Sequence, residues 1–300
     1  MTLAFYQQLY TSEGTTDMEQ VIDTVPRKVT SEMNTLLLSP YSMEEVKIAL
    51  FQMFPTKAPR PDGFPAHFFQ HHWEVCGDEG TEVVLRMLRR EDDPAAINNT
   101  SIVLIPKVKQ PDELGQFRPI SLCNVVYKIA SKVLVNRLRN ILPEIIAEEQ
   151  SAFVPGRLIT NIVTAYECMH YMKKKRGCDS QYCTLKLDMR KSYDRVEWEY
   201  LELIMIKLFF HRLWVQKIMS LVTTVSFSVL FNGERTENFK PSRGIRQGGP
   251  VSPYLFLLEA EGLSCLLNSR VQSSQLNGIK VASSAPMVSH LLFADGASTA

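Results

Sequence analysis

No run of about 18 uncharged apolar residues occurs in the chain, so no segment suits a helical membrane crossing. The most apolar stretch, Leu203 to Phe210, is interrupted by Lys207. Net charge is equally scarce. Over 300 residues, 33 Lys and Arg face 32 Asp and Glu, so the whole chain is no polycation. Metal-type and disulfide-type cysteine patterns are missing too. The six cysteines stand at 76, 123, 168, 178, 183 and 265 without a C-x-x-C pair. That spacing argues for reduced thiols in an intracellular protein. His67, His71 and His72 share one stretch of helix, but no Cys or carboxylate completes a ligand set with them. No signal peptide opens the chain and no internal repeat divides it.

What is present is an ordinary globular composition, 45% hydrophobic and 22% charged, enough to bury a real core. Charge is concentrated locally. Between Ser101 and Asn140, seven Lys or Arg face only Asp112 and Glu113. Ser42 followed by Glu45 reads as a capping box for a helix. The stretch 55–65, with four prolines and a glycine, reads as an irregular loop. Helices are expected over about 66–75 and 80–90. A strand over Ile102–Ile105 should find its partner in Phe117–Leu122. From Val126 to Leu142 the apolar residues follow helical spacing, with Lys128, Lys132 and Arg139 on another face and Pro143 ending the helix.

Further on, the alternation over Tyr182–Asp188 predicts a strand. A helix follows from about Trp198. Val225 to Phe231 alternates and runs into Asn232-Gly233, a strong hairpin signal. The glycine-rich loop 242–253 should feed a helix capped by Ser252, with Pro253 as its first residue, running to about Asn268. His290 to Asp295 is a short apolar strand stopping in an acid. Hairpins mixed with long helices argue for an α+β fold.

Two acids, Asp188 and Asp295, end two apolar strands. If the strands are neighbours the acids converge, and converging carboxylates attract a hard cation such as magnesium. Two such ions can activate an attacking hydroxyl and stabilise the leaving oxygen of an in-line phosphoryl transfer. The loop Arg243-Gly244-Ile245-Arg246-Gln247-Gly248-Gly249-Pro250 is basic and lets backbone approach a ligand closely.

The order and wording of these segments resemble the reverse transcriptase of plant-type non-LTR (LINE-like) retrotransposons. The carriers are IVLIPKVKQPDELGQFRPISLCNVVYKIASKVLVNRL (102–138), KLDMRKSYDRVEW (186–198), NGERTENFKPSRGIRQGGPVSPYLF (232–256) and SHLLFAD (289–295). The resemblance covers residues 51–300 and leaves 1–50 as an N-terminal extension. It implies the fingers and antiparallel palm of a right-hand polymerase. The implied activity is RNA-directed DNA synthesis by two-metal nucleotidyl transfer. The implied partners are an RNA template, a DNA primer, deoxynucleoside triphosphates and Mg2+.

Carried over by position, the resemblance makes Asp188 and Asp295 the catalytic magnesium ligands. Lys107, Arg118, Tyr193, Gln247 and Gly248 would bind the nucleotide, with Tyr193 as the gate under its sugar. Gln150, Phe153, Arg157 and Arg246 would follow the template. Asp194 belongs to the motif without binding metal. Three positions depart from the pattern. Gly296 stands where the family has a second acid, Gly249 where an acid is usual, and Arg60 where glycine is usual. The chain is also expected to be truncated just after the second acidic motif, with almost no return strand and no thumb. An inactive chain follows. The alternatives are a catalytically dead nucleic-acid-binding remnant, a protein-interaction domain and a group II intron maturase.

Overall fold

The computed structural model describes residues 2–55, 63–158, 160–174, 183–293 and, as backbone, 296–299. The chain opens with α1 (Thr2–Leu9), α2 (Met18–Ile22), α3 (Ser31–Leu38) and α4 (Met43–Phe51). The capping box forms: Glu45 N–H donates to Ser42 Oγ at 3.3 Å, and Ser42 N–H donates to Glu45 Oε2 at 3.0 Å. Residues 56–62 of the Pro-rich loop, with Arg60, lie outside the described residues.

Next come α5 (Ala66–His71) and α6 (Trp73–Arg89). The break falls at His72, earlier than the spacing predicts, and Gly77 and Gly80 lie inside α6. Packing overrides glycine's poor helix propensity here. A Cβ on Gly77 would come within 2.8 Å of the Trp73 ring, so the missing side chain seats that indole.

Strand β1 (Asn99–Pro106) pairs antiparallel with β2 (Phe117–Cys123), from Thr100 opposite Cys123 to Pro106 opposite Phe117. The basic stretch then forms α7 (Val125–Leu138), followed by α8 (Leu142–Ile145) and α9 (Thr160–Lys174). Pro143 therefore opens a short helix where it was expected to close a long one. Proline tolerates a first helical turn because its missing N–H needs no partner there.

The second half adds β3 (Leu185–Asp188), α10 (Trp198–Lys207), α11 (Arg212–Thr223), β4 (Ser226–Phe231) and β5 (Glu234–Arg235). Tyr182, the expected start of β3, and Cys178 lie outside the described residues. Asn232 (φ 51°) and Gly233 (φ 84°) both take the left-handed region, which makes the predicted hairpin between β4 and β5. The chain continues through α12 (Ser252–Gln272), β6 (His290–Phe293) and β7 (Gly296–Thr299). Ser252 is the first helical residue of α12, one position inside the expected cap.

The strands form two sheets amid the helices. One has the order β2-β1-β4-β5 and is mixed, because β1 and β4 run parallel from Asn99 opposite Ser226 to Val103 opposite Leu230. The other has the order β3-β7-β6 and is antiparallel throughout. The expectation of almost no return strand is thereby corrected. Four residues suffice for β7 to pair with both neighbours, and β6 and β3 are separated by it. Among the described residues, no helix is long and apolar enough to cross a membrane. The five described cysteines are free.

Two apolar cores hold the fold. The larger joins Ala130, Val133, Leu134 and Leu138 of α7 in one cluster with residues of α4, α6, α10, α11 and α12. The smaller lies against the mixed sheet, where Ile102, Phe227, Val229 and Phe239 take Tyr6, Leu9 and Tyr10. Residues 1–50 therefore pack into both cores, and position 50 marks no break in packing. Tyr6, Leu37 and Leu50 each have no accessible surface. Burying side chains of that size stabilises by about 1.5–3 kcal/mol each.

Arg137 staples the first fifty residues to α7. Its guanidinium is paired with both Glu45 oxygens, at 2.7 and 2.8 Å, and with the carbonyls of Leu37, Ser39 and Pro40. It also lies 3.9 Å from the centre of the Tyr41 ring. Arg137→Ala strands a carboxylate and three carbonyls, and should cost about 3 kcal/mol in denaturant unfolding. In α12, burial pushes Glu259 up to about 7. A carboxyl raised above its unfolded value stabilises fully at low pH and loses that contribution as pH rises through the folded value. The Glu259 contribution should therefore fall by on the order of 2 kcal/mol between pH 5 and 8, read as the change in the stability difference between wild type and Glu259→Gln across that range.

Candidate functional site

An open cleft of about 750 Å³ runs between the mixed sheet, α7 and the start of α12. Five cations line it: Lys107, Arg118, Lys128, Lys132 and Lys191. Among the described residues no carboxylate lines it, so this part of the cleft attracts an anionic ligand. The β1–β2 hairpin brings Lys107 and Arg118 together. Its turn is closed by Lys107 N–H to the Gln116 carbonyl at 2.9 Å and by Gln116 Nε2 to Asp112 at 2.6 Å. Lys128 and Lys132, one helical turn apart on α7, reach the cleft from the side. Burial, then the neighbouring Arg139 charge, lowers the Lys132 ammonium below its ordinary range.

The segment after β3 and the glycine loop complete the cleft. Tyr193 stacks on Phe256 at 5.2 Å and 13° between planes, which fixes its ring beside the cavity. Lys191 takes a left-handed backbone (φ 55°), and its ammonium makes no hydrogen bond among the described residues. It lies 5.2 Å from the centre of the Phe5 ring. Gln247 is pinned twice: its carbonyl accepts Ser121 N–H at 2.8 Å, and its Nε2 donates to Asp194 Oδ1 at 3.0 Å. Gly248, at φ 96°, holds the left-handed turn that only glycine adopts cheaply. A Cβ on Gly249 would come within 2.9 Å of Ser252 Oγ, so a side chain there requires that hydroxyl to turn aside.

The cleft therefore gathers Lys107, Arg118, Tyr193, Gln247, Gly248 and Phe153. Phe153 is half exposed at its rim with φ 60°. Three residues expected on the template path lie elsewhere. Gln150 is buried, bridged to Leu292 of β6. Arg157 spends its guanidinium on the carbonyls of Pro143, Ile146, Ala147 and Gln150, so it locks the 143–157 turn. Arg246 is buried with its guanidinium 3.8 Å from the centre of the Tyr127 ring, donating to Asn98 Oδ1 and the Leu221 carbonyl. For these arginines the structure corrects the expectation. A guanidinium surrounded by internal acceptors gains more by satisfying them than by leaving.

Asp188 is exposed at the end of β3, opposite Gly296 of β7. Asp295 lies outside the described residues; its chain neighbour Gly296 also stands opposite Phe293. Among the described residues, no group of three or more His, Cys, Asp or Glu is placed to hold a metal ion. Asp188 alone is too small a donor set for a protein-held magnesium. Sequence reasoning passed over Lys191 and Phe54, which line the cleft, and Tyr10 behind it. Lys191 stood in plain view inside the 186–198 motif. Tyr10, 184 positions before its partner Asp194, gave no signal at all.

Residues 105–297 match the family model described as reverse transcriptase (RNA-dependent DNA polymerase). The chain is 29% identical over 270 residues to an uncharacterized 149 kDa protein of transposon TX1 of Xenopus laevis, covering 89% of this chain and 20% of that protein. It is 47% identical over 76 residues to an uncharacterized mitochondrial protein of Arabidopsis thaliana, covering 25% and 62%. It is 25% identical over 246 residues to a retrovirus-related Pol polyprotein from the type-1 retrotransposable element R2 of Popillia japonica, covering 77% and 31%. The chain thus spans less than two thirds of each of these relatives.

The two kinds of arginine separate experimentally. Arg246→Ala should lower unfolding stability by about 3 kcal/mol, since it leaves buried acceptors unpaired. Arg118→Ala, on an exposed side chain, should stay within about 0.5 kcal/mol. Equal losses in a denaturant titration would contradict the assignment.

Proposed function

The chain belongs to the reverse transcriptase (RNA-dependent DNA polymerase) family, and from that premise we propose that its cleft seats a deoxynucleoside triphosphate against an RNA template and DNA primer. In this reading β1, β2 and α7 act as the fingers and the β3-β7-β6 sheet as the palm. The source is a non-LTR retrotransposon of plant type. The TX1 and R2 similarities support the first part of that source, and the short Arabidopsis match supports the second.

The observation that carries the reading is the cleft itself. Five cations, and no carboxylate among the described lining residues, share it with Tyr193, five residues beyond Asp188, and with Gln247 and Gly248 of the glycine loop. Lys107 and Arg118 suit the triphosphate, Arg118 through two parallel hydrogen bonds. Lys128 and Lys132 suit a nucleic-acid backbone. Magnesium shared between Asp188, Asp295 and the phosphate oxygens would neutralise charge for in-line nucleotidyl transfer. Gly296 offers no side-chain oxygen where the family pattern has an acid. We therefore propose that this chain binds primer–template and nucleotide without extending the primer.

Gel shifts with an RNA–DNA primer–template should show binding that weakens steeply with salt. Lys128→Ala and Lys132→Ala should each lower the salt slope by about 1. Primer extension with magnesium should yield no template-length product, and such a product would sink the inactivity. Mn2+ titrated into the protein and followed by electron paramagnetic resonance should bind at least about tenfold tighter in Gly296→Asp, a difference near 1.4 kcal/mol. Unchanged Mn2+ affinity would remove Gly296 as the cause.

A further inference from the structure

Tyr10 follows α1 and reaches across the molecule. Its ring sits 4.9 Å from the Phe227 ring and 6.4 Å from the Phe239 ring, and Gly244 leaves room for it. A phenylalanine would fill that space equally well. The hydroxyl therefore needs its own reason, and it has one partner: it donates to Asp194 Oδ1 at 2.9 Å. That same oxygen accepts Gln247 Nε2 at 3.0 Å. Asp194 has no accessible surface, and its Oδ2 makes no hydrogen bond among the described residues.

We propose that Tyr10 is a positioning residue for the cleft: by holding Asp194 as an ionised carboxylate, it dictates which way the Gln247 amide faces. The proposal rests on reading the cleft as a nucleotide pocket. An ionised carboxylate can only accept hydrogen bonds. Facing one, Gln247 must present its NH2, and Oε1 remains as the acceptor for whatever fills the cleft. A protonated Asp194 can donate, and the amide is then free to turn over. The charge state of one buried acid therefore selects the hydrogen-bonding pattern that the cleft offers.

Several groups set that charge state. Burial raises Asp194 above the ordinary carboxylate range, and the Tyr10 hydroxyl, the Lys191 ammonium, the Gln247 amide and the Lys107 charge pull it back down. Tyr6 of α1 faces the same acid. Arg190 and Arg195 surround Lys191 from its own segment. Removing the Tyr10 hydroxyl removes one of the influences that favour the ionised form, and so moves Asp194 further up.

The latch around Tyr10 makes the contact rigid. The Tyr10 carbonyl accepts Ser242 N–H at 2.9 Å and Arg243 N–H at 3.2 Å. The Leu9 carbonyl accepts Arg243 Nε at 2.9 Å. Ser12 Oγ donates to Glu197 at 2.6 Å, and Glu197 pairs with Arg243 at 3.2 Å. The first twelve residues thereby hold both the glycine loop and the segment after β3.

The Gln247 side-chain amide can be watched directly by nuclear magnetic resonance in the glutamine-labelled chain, assigned by its loss in Gln247→Ala. In Tyr10→Phe its exchange with water should quicken about tenfold, and the pH midpoint of its shift should move up relative to wild type. A role confined to packing would leave that midpoint in place, and an unchanged midpoint with unchanged exchange overturns the proposal. Asp194→Asn serves if Tyr10→Phe does not fold. It keeps an acceptor oxygen but loses the titration, so the resonance should become independent of pH, and persistence of the wild-type transition overturns the proposal equally. Titration of wild type with a deoxynucleoside triphosphate tests the underlying reading separately. The Gln247 resonance should move, and its failure to move rejects the nucleotide pocket while the Tyr10 comparison still decides the positioning claim.

Discussion

A carboxyl sealed from water calls for donors, and one oxygen of Asp194 draws two of them from distant stretches of the chain. The acid comes from the segment after β3, one donor from the N-terminal segment and the other from the glycine loop. Three stretches of chain, far apart in sequence, are held in register at one oxygen. Backbone contacts reinforce the junction: Gly244 N–H reaches the Val196 carbonyl and Ile245 N–H the Tyr193 carbonyl, each at 2.7 Å. The wall of the cleft that carries Tyr193 and the wall that carries Gln247 are thus one rigid unit. The smaller core beneath, with Phe227 and Phe239, keeps water away from it.

Positive charge is handled in two ways in this chain of near-zero net charge. Arg137, Arg157 and Arg246 bind backbone carbonyls, side-chain acceptors and aromatic faces inside the protein, where a planar five-donor group can satisfy several acceptors at once. Lysines dominate the cleft, where a mobile point charge can meet a phosphate oxygen from many directions. This division leaves a strongly positive hollow in a molecule whose total charge announces nothing.

The sequence was most legible where a local signal sufficed. The capping box at Ser42, the β1–β2 pairing, the Asn232-Gly233 hairpin and the entry to α12 all follow from neighbouring residues. Half of the expected site could likewise be read from motif wording, and Lys107, Arg118, Tyr193, Gln247, Gly248 and Phe153 do share one cleft. What escaped depends on contacts between distant residues. Arg157 and Arg246 look like surface cations until their internal acceptors are seen. The helix α11 carries a local signal too, since Trp214, Val215, Ile218 and Val222 repeat at helical spacing, but no helix was expected there. The packing of the first fifty residues could not be anticipated either. Tyr6 and Tyr10 match surfaces that only tertiary contact creates.

The parallel pairing of β1 with β4 has a consequence in time. A parallel pair cannot close through a tight turn, and the helix that covers this sheet precedes β4 by more than 200 residues. At synthesis rates of about 5–20 residues per second, α1 waits on the order of 10–40 s for Phe227 and Phe239 to emerge. During that interval its apolar side lacks the sheet it rests on in the finished fold. Nascent copies therefore carry an uncovered apolar helix until the later-made half of the sheet emerges to cover it.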